Sequence, residues 1–147
     1  WEGADMVYYV NHSRIRERQR FVQELAGMAW ELMDRWEDGL VCTLAQERIL
    51  HMAIEAVTDI GSDLIDGFMM RDASSYEDII EVLRGEGAVD DGLARYLQEL
   101  VSLRKPLVQE YYAFSRDGLY PLLKDLPDQL SKFVWQVDQF IESQPLK

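Results

Sequence analysis

Residues 47–68 read ERILHMAIEAVTDIGSDLIDGF. Leu50, Ile54, Val57, Gly61, Leu64 and Phe68 recur in steps of three and four, the spacing that gathers apolar side chains on one face of an α-helix. Ala53, Ala56 and Gly61 are small and would let a neighbouring helix come close. Just upstream, Thr43 and Gln46 stand three apart in a capping-box pattern, which predicts that the helix opens there.

The same periodicity extends in both directions. Ile15, Val22, Leu25, Ala29, Leu32 and Trp36 predict a long helix from about Asn11 to Trp36. Arg14, Arg16, Arg18, Arg20, Glu24, Glu31 and Asp34 occupy its other face, and Asp38-Gly39 ends it. Downstream, Ser75 with Asp78 caps a short helix filled by Ile79, Ile80, Val82 and Leu83 and stopped at Gly85 and Gly87. Asp90 or Asp91 caps a fourth, through Leu93, Leu97, Leu100, Val101 and Leu103. Pro106 then falls in a helix-like stretch, where it should kink or restart the chain. The last segment, Asp117 to Ile141, carries Leu119, Leu122, Leu123, Leu126, Leu130, Phe133, Val134 and Val137, and Pro127 is expected to split it in two. No run alternates with period two for long enough to suggest a strand. The expected fold is all-α, an antiparallel bundle of four or five helices forming one domain over residues 7–142.

Composition supports that reading. A chain of 147 residues can bury a core without a disulfide or metal staple. Its 48% apolar and 29% charged residues mark a globular chain, not a disordered one. The net charge of −12 leaves no broad basic surface, which excludes indiscriminate binding to phosphate backbones and makes DNA an unexpected partner. The acidity is local. Residues 47–92 carry 12 acids against 3 bases, whereas residues 93–147 carry 7 of each. An anion site is therefore expected in the last third or near the arginines of the first. The single cysteine, Cys42, is expected to be a packing residue in a reducing cytoplasm. No apolar run approaches the roughly 20 residues of a membrane span, so no membrane partner is expected. Trp1-Glu2-Gly3-Ala4-Asp5 lacks the pattern of a signal peptide. Met6 reads as a candidate start, and residues 1–5 as a remnant or extension outside the fold.

Trp30, Trp36, Phe68, Phe133, Trp135 and Phe140 sit at helical spacing and read as core. Tyr8, Tyr9 and Trp135 could equally cover a homodimer interface. Glu47, His51, Glu55, Asp59 and Asp63 step by four along the second helix, each about 40° round from the last. Di-metal bundles use a Glu-x-x-His pair from each of two helices. This chain has no such pair and only one other histidine, His12. No metal or cofactor is therefore expected, and the stripe reads as a solvated or interface face. Gly85-Glu86-Gly87 lacks the context of a phosphate loop.

Residues 103–112, LRKPLVQEYY, differ from the rest. Two cations end a helical run, and an apolar pair and polar side chains follow. Arg104 could present its planar fork to a phosphate. Equally, Arg104 and Lys105 could simply complement a helix C-terminus.

At this point the chain resembles a known family. Residues 47–60 look like the second helix of HepT-like proteins of the HEPN superfamily. Residues 74–83 with Gly87-Ala88-Val89 are similar to that family's middle helix and turn. Its members carry a third block: an Arg, usually followed by Asn, then after four intervening residues a His, then any residue and a Tyr. Arg104 and Tyr111 match the Arg and the Tyr. Lys105 stands where Asn is usual, and Gln109 where His is usual. The resemblance covers most of residues 7–142. It implies an all-α homodimer and a metal-independent RNA endonuclease, the toxin of a toxin–antitoxin pair. The implied antitoxin is a minimal nucleotidyltransferase that attaches AMP to the motif Tyr, here Tyr111.

Cleavage without metal uses the 2′-hydroxyl as nucleophile, so one proton must leave it and another must reach the departing oxygen. An imidazole can serve either step at neutral pH. Gln109 has no titratable group and can only hydrogen-bond. Losing an acid–base group costs about 10²–10⁴ in rate. Arg104 and Lys105 would still hold a phosphate, and Glu110 is a conceivable substitute base. The expectation is a weakened or inactive ribonuclease with Arg104, Lys105 and Gln109 at the catalytic position and Glu110 and Tyr111 as binding residues. The alternative is a non-catalytic module that binds a nucleotide, an RNA or a nucleotidyltransferase.

Overall fold

Asn11 opens the first helix, α1 (His12–Asp34), by accepting the Arg14 N–H on its side-chain oxygen at 3.1 Å. A computed structural model describes residues 10–145 of the chain. Trp1–Asp5, Met6, Tyr8 and Tyr9, singled out above, lie outside the described residues. Four more α-helices follow: α2 (Leu40–Gly67), α3 (Tyr76–Gly85), α4 (Asp91–Ser102) and α5 (Pro121–Ser143). Between α4 and α5 come a single π-helical turn (Lys105–Gln109) and a short 3₁₀ turn (Tyr111–Ala113). No strand occurs among the described residues, so the all-α expectation holds.

α1 packs along both α2 and α5, while α3 and α4 close the other side against α2 and α5. Val22, Leu25, Leu50, Ile54, Val57, Leu64, Leu97, Leu130 and Phe133 lose all solvent contact in one continuous core. Polar ties fix the register of the helices. Gln19 Nε2 of α1 donates to Asp138 Oδ1 of α5 at 2.8 Å. Asp90 caps α4 through the Leu93 N–H at 2.8 Å and also exchanges two hydrogen bonds with Gln136 of α5. The Tyr96 hydroxyl donates to the Leu122 carbonyl at 2.6 Å, and its burial pushes the phenol above the usual range. Gly61 lets α3 approach, since a Cβ there would lie 2.5 Å from Ile79 Cγ2. The Arg71 fork, with the Ser74 N–H, holds the Asp78 carboxyl well below its ordinary range and steadies the entry to α3.

Four details differ from the sequence reading. α2 begins at Leu40 behind Gly39 (φ 142°), not at Thr43. The Thr43 hydroxyl donates to the Gly39 and Leu40 carbonyls instead of capping, and Gln46 turns into the core. Pro127 does not split α5. The ring is buried inside an unbroken helix, where Leu123, Leu126, Leu130 and Phe133 pack as one face that a break would splay. Burial of that face outweighs the roughly 3 kcal/mol a mid-helix proline costs. Trp30, Trp36 and Trp135 are not core: Trp30 and Trp135 are 56% and 63% exposed, and Trp36 lies past the end of α1 with its indole N–H donating to Asp38 Oδ1 at 2.8 Å. Phe133 and Phe140 are buried as expected, and Phe68 meets the Phe140 ring edge-on at 5.3 Å.

Candidate functional site

The acidic stripe of α2 is an ion-pair ladder and not a bare solvated face. Each of its four carboxylates takes an arginine from another part of the chain. Asp63, almost fully buried, is gripped by Arg14 of α1 through two hydrogen bonds, one of them from Nε at 3.2 Å. Arg18 Nε lies 3.8 Å from Asp59, and burial still pushes that carboxyl above its ordinary value. Glu55 Oε2 accepts Arg104 Nε at 3.2 Å. Glu47 Oε1 accepts Arg116 Nη2 at 3.1 Å, with Arg116 Nε 2.6 Å from the other oxygen.

The two rungs at the Arg104 end are built by local sequence. α4 stops at Ser102 because Pro106 has no N–H to give the Ser102 carbonyl. The chain then widens into the π turn, closed by the Glu110 N–H on the Lys105 carbonyl at 2.9 Å. Such turns often mark functional sites. Gln46, 1% exposed, clamps the loop that follows. Its Oε1 accepts the Tyr120 N–H at 2.6 Å, and its Nε2 donates to the Gly118 carbonyl at 3.3 Å. Phe114 is buried and stacks on Tyr120, ring centroids 5.6 Å apart.

Arg104 is the most constrained of the expected site residues. Its side chain is 27% exposed, its Nε is committed to Glu55, and its guanidinium carbon lies 4.1 Å over the centre of the Tyr76 ring. Three elements therefore fix it: α2 through Glu55, α3 through Tyr76, and the segment after α4 that carries it. Neither η nitrogen has a hydrogen-bond partner among the described residues. Arg104 is thus not a simple complement to the α4 dipole.

The other expected residues are looser. Lys105 is exposed, with Nζ 3.8 Å from Glu110. Gln109 is exposed in the π turn. Tyr111 is 61% exposed, its ring edge-on to Tyr112 at 5.8 Å. No hydrogen bond joins Arg104 to Gln109 or Tyr111 among the described residues. Two partners of Arg104 were not singled out as site residues from sequence. Tyr76 carried no signal for the role. Glu55 did, since it stands in the stripe, but only the fold shows which cation it meets. His51, one turn before Glu55, places Nε2 3.9 Å from the same Glu55 Oε2. No group of three or more His, Cys, Asp or Glu is disposed to hold a metal ion among the described residues, and no helix there is long and apolar enough to cross a membrane.

Comparison with known proteins agrees with this architecture. The model of the family described as "Ribonuclease HepT-like" matches residues 14–137. The chain is 33% identical over 138 residues to a Bacillus subtilis (strain 168) protein named "Putative RNase YutE", covering 94% of each. It also resembles a solved structure described as a cytosolic protein of unknown function, YutE from Bacillus subtilis. The TM-score there is 0.83 at 32% identity, over 95% of this chain and 96% of that one.

Proposed function

This chain belongs to the HepT-like ribonuclease family, and from that premise we propose that it is a metal-independent RNA endonuclease working at Arg104. One observation supports this reading above the others. Arg104 is oriented by Glu55 and Tyr76 on two sides, while its η nitrogens have no hydrogen-bond partner among the described residues. A planar fork held in this way can take two phosphate oxygens at once and stabilise the charge that builds on them. Fixing the fork in advance spares the ordering cost at the moment of reaction.

The nucleophile is the 2′-hydroxyl of the substrate. It bonds to phosphorus, the bond to the 5′-oxygen breaks, and a cyclic phosphate and a 5′-hydroxyl result. Lys105, exposed and loosely paired, adds positive charge near the phosphate. Gln109 cannot carry a proton, so the rate is lower than a histidine there would allow. The expected result with RNA methylated at every 2′-oxygen is no cleavage by the purified chain, while unmodified RNA of the same sequence is cut in the presence of a chelator. Equal cutting of both would rule out the 2′-hydroxyl route.

We further propose that the chain acts as the toxin of a toxin–antitoxin pair and works as a homodimer. Leu40, Val41 and Tyr112 are 69%, 82% and 77% exposed; apolar side chains this open suit a covered face. Tyr111 is the acceptor for AMP from a partner nucleotidyltransferase, a role supported by its exposed ring. After co-expression with such an enzyme, intact mass should rise by one AMP, and Tyr111→Phe should abolish the gain. An unchanged mass for the parent chain counts against the role.

A further inference from the structure

We infer that His51 is the proton carrier of the cleavage reaction. This rests on the reading that the chain cleaves RNA at Arg104. Moving a proton from the 2′-hydroxyl at neutral pH calls for a group that gains and loses protons there, and imidazole is the side chain suited to it. The chain has two histidines. His12 opens α1 and is exposed, with no contact to Arg104 among the described residues. His51 lies on α2 one turn before Glu55, and its Nε2 is 3.9 Å from Glu55 Oε2, the oxygen that accepts Arg104 Nε at 3.2 Å. Imidazole and guanidinium therefore flank one carboxylate oxygen, which places both within the span of a phosphodiester and the adjoining 2′-hydroxyl.

The contact is too long for a hydrogen bond, so Nε2 stays uncommitted, and the side chain is 32% exposed, open to a substrate. Glu55 orients Arg104 while standing one turn from His51 on the same helix. The step balances with one proton. Imidazole removes it from the 2′-oxygen as that oxygen bonds to phosphorus, and imidazolium returns it to the 5′-oxygen as the P–O5′ bond breaks. On its own helix His51 has Glu47 one turn before it and Glu55 one turn after, Arg104 pairs with Glu55 and Arg116 with Glu47, and Glu17, Arg18, Arg48 and Asp59 line the neighbouring groove that Glu55 also borders.

The test is single-turnover RNA cleavage with a chelator present, across pH 5 to 9, by the purified full chain and by His51→Gln, Gln109→His and the double variant. His51→Gln should lose about 10²–10⁴ in rate. The double variant should recover activity, since a histidine then stands at the position five residues after Arg104. A His51→Gln rate within threefold of the parent overturns the assignment and leaves RNA cleavage standing. A parent chain that cuts no RNA overturns both.

Discussion

Arg104→Ala is expected to lower the RNA-cleavage rate by at least about 10²-fold, the usual cost of removing a fixed donor from developing charge. Thermal unfolding should barely move. Glu55, 40% exposed, is left with water to satisfy it. A half-exposed ion pair of this kind is worth about 0–1 kcal/mol. At roughly 2–4 °C per kcal/mol for a domain of this size, the melting temperature should shift by a few degrees at most. Arg104→Lys should not restore the rate. Lysine keeps the charge but has no planar fork, no Nε–H for Glu55 and no flat face for Tyr76. Measured rates and melting curves for the two variants separate a chemical role from a structural one: a large rate loss with an unchanged melt identifies the former.

Phe133→Ala is expected to have the largest effect on stability. Phe133 has no solvent exposure and is among the bulkiest fully buried side chains. Emptying such a site costs about 3–5 kcal/mol, a large share of the roughly 5–15 kcal/mol that holds a domain together. The melting temperature should fall by about 6–20 °C. Trp135→Ala, two residues along the same helix but 63% exposed, should stay within about 0.5 kcal/mol. Denaturant midpoints read the contrast directly. Equal losses for the two variants would mean that α5 presents a different face to the core.

The fold was legible because apolar spacing is a local signal. The stripe from Leu50 to Leu64 is buried as read, and the caps at Ser75 and Asp90 accept the expected N–H groups. What failed were cases where tertiary packing overrides local chemistry. Gln46 has capping-box spacing with Thr43, yet the Tyr120 and Gly118 backbone groups come close enough to claim its amide. Pro127 should break a helix, yet a continuous apolar face spans it. Trp30 and Trp135 lie at helical spacing but on the outer side of their helices.

At the site, sequence pattern picked out Arg104 and the stripe containing Glu55 separately. The separation of 49 positions along the chain conceals their hydrogen bond, which only the docking of the post-α4 segment on α2 reveals. The same holds for Arg14 with Asp63, Arg18 with Asp59, and Glu47 with Arg116. A run of carboxylates four apart looks like a solvated face until the arginines it pairs with are placed in space. The charge pattern takes on a new sense with them. The acids of α2 neutralise cations from three other parts of the chain, and Arg104 of the charge-balanced last third meets its glutamate through Nε alone.

The most direct measurement takes 5′-labelled RNA, a chelator, and the purified parent chain beside Arg104→Ala, and reads the new 3′ ends. The expected result is fragments ending in 2′,3′-cyclic phosphate from the parent chain and intact RNA from the variant. Intact RNA from both, or the same fragments from both, would contradict a cleavage site at Arg104.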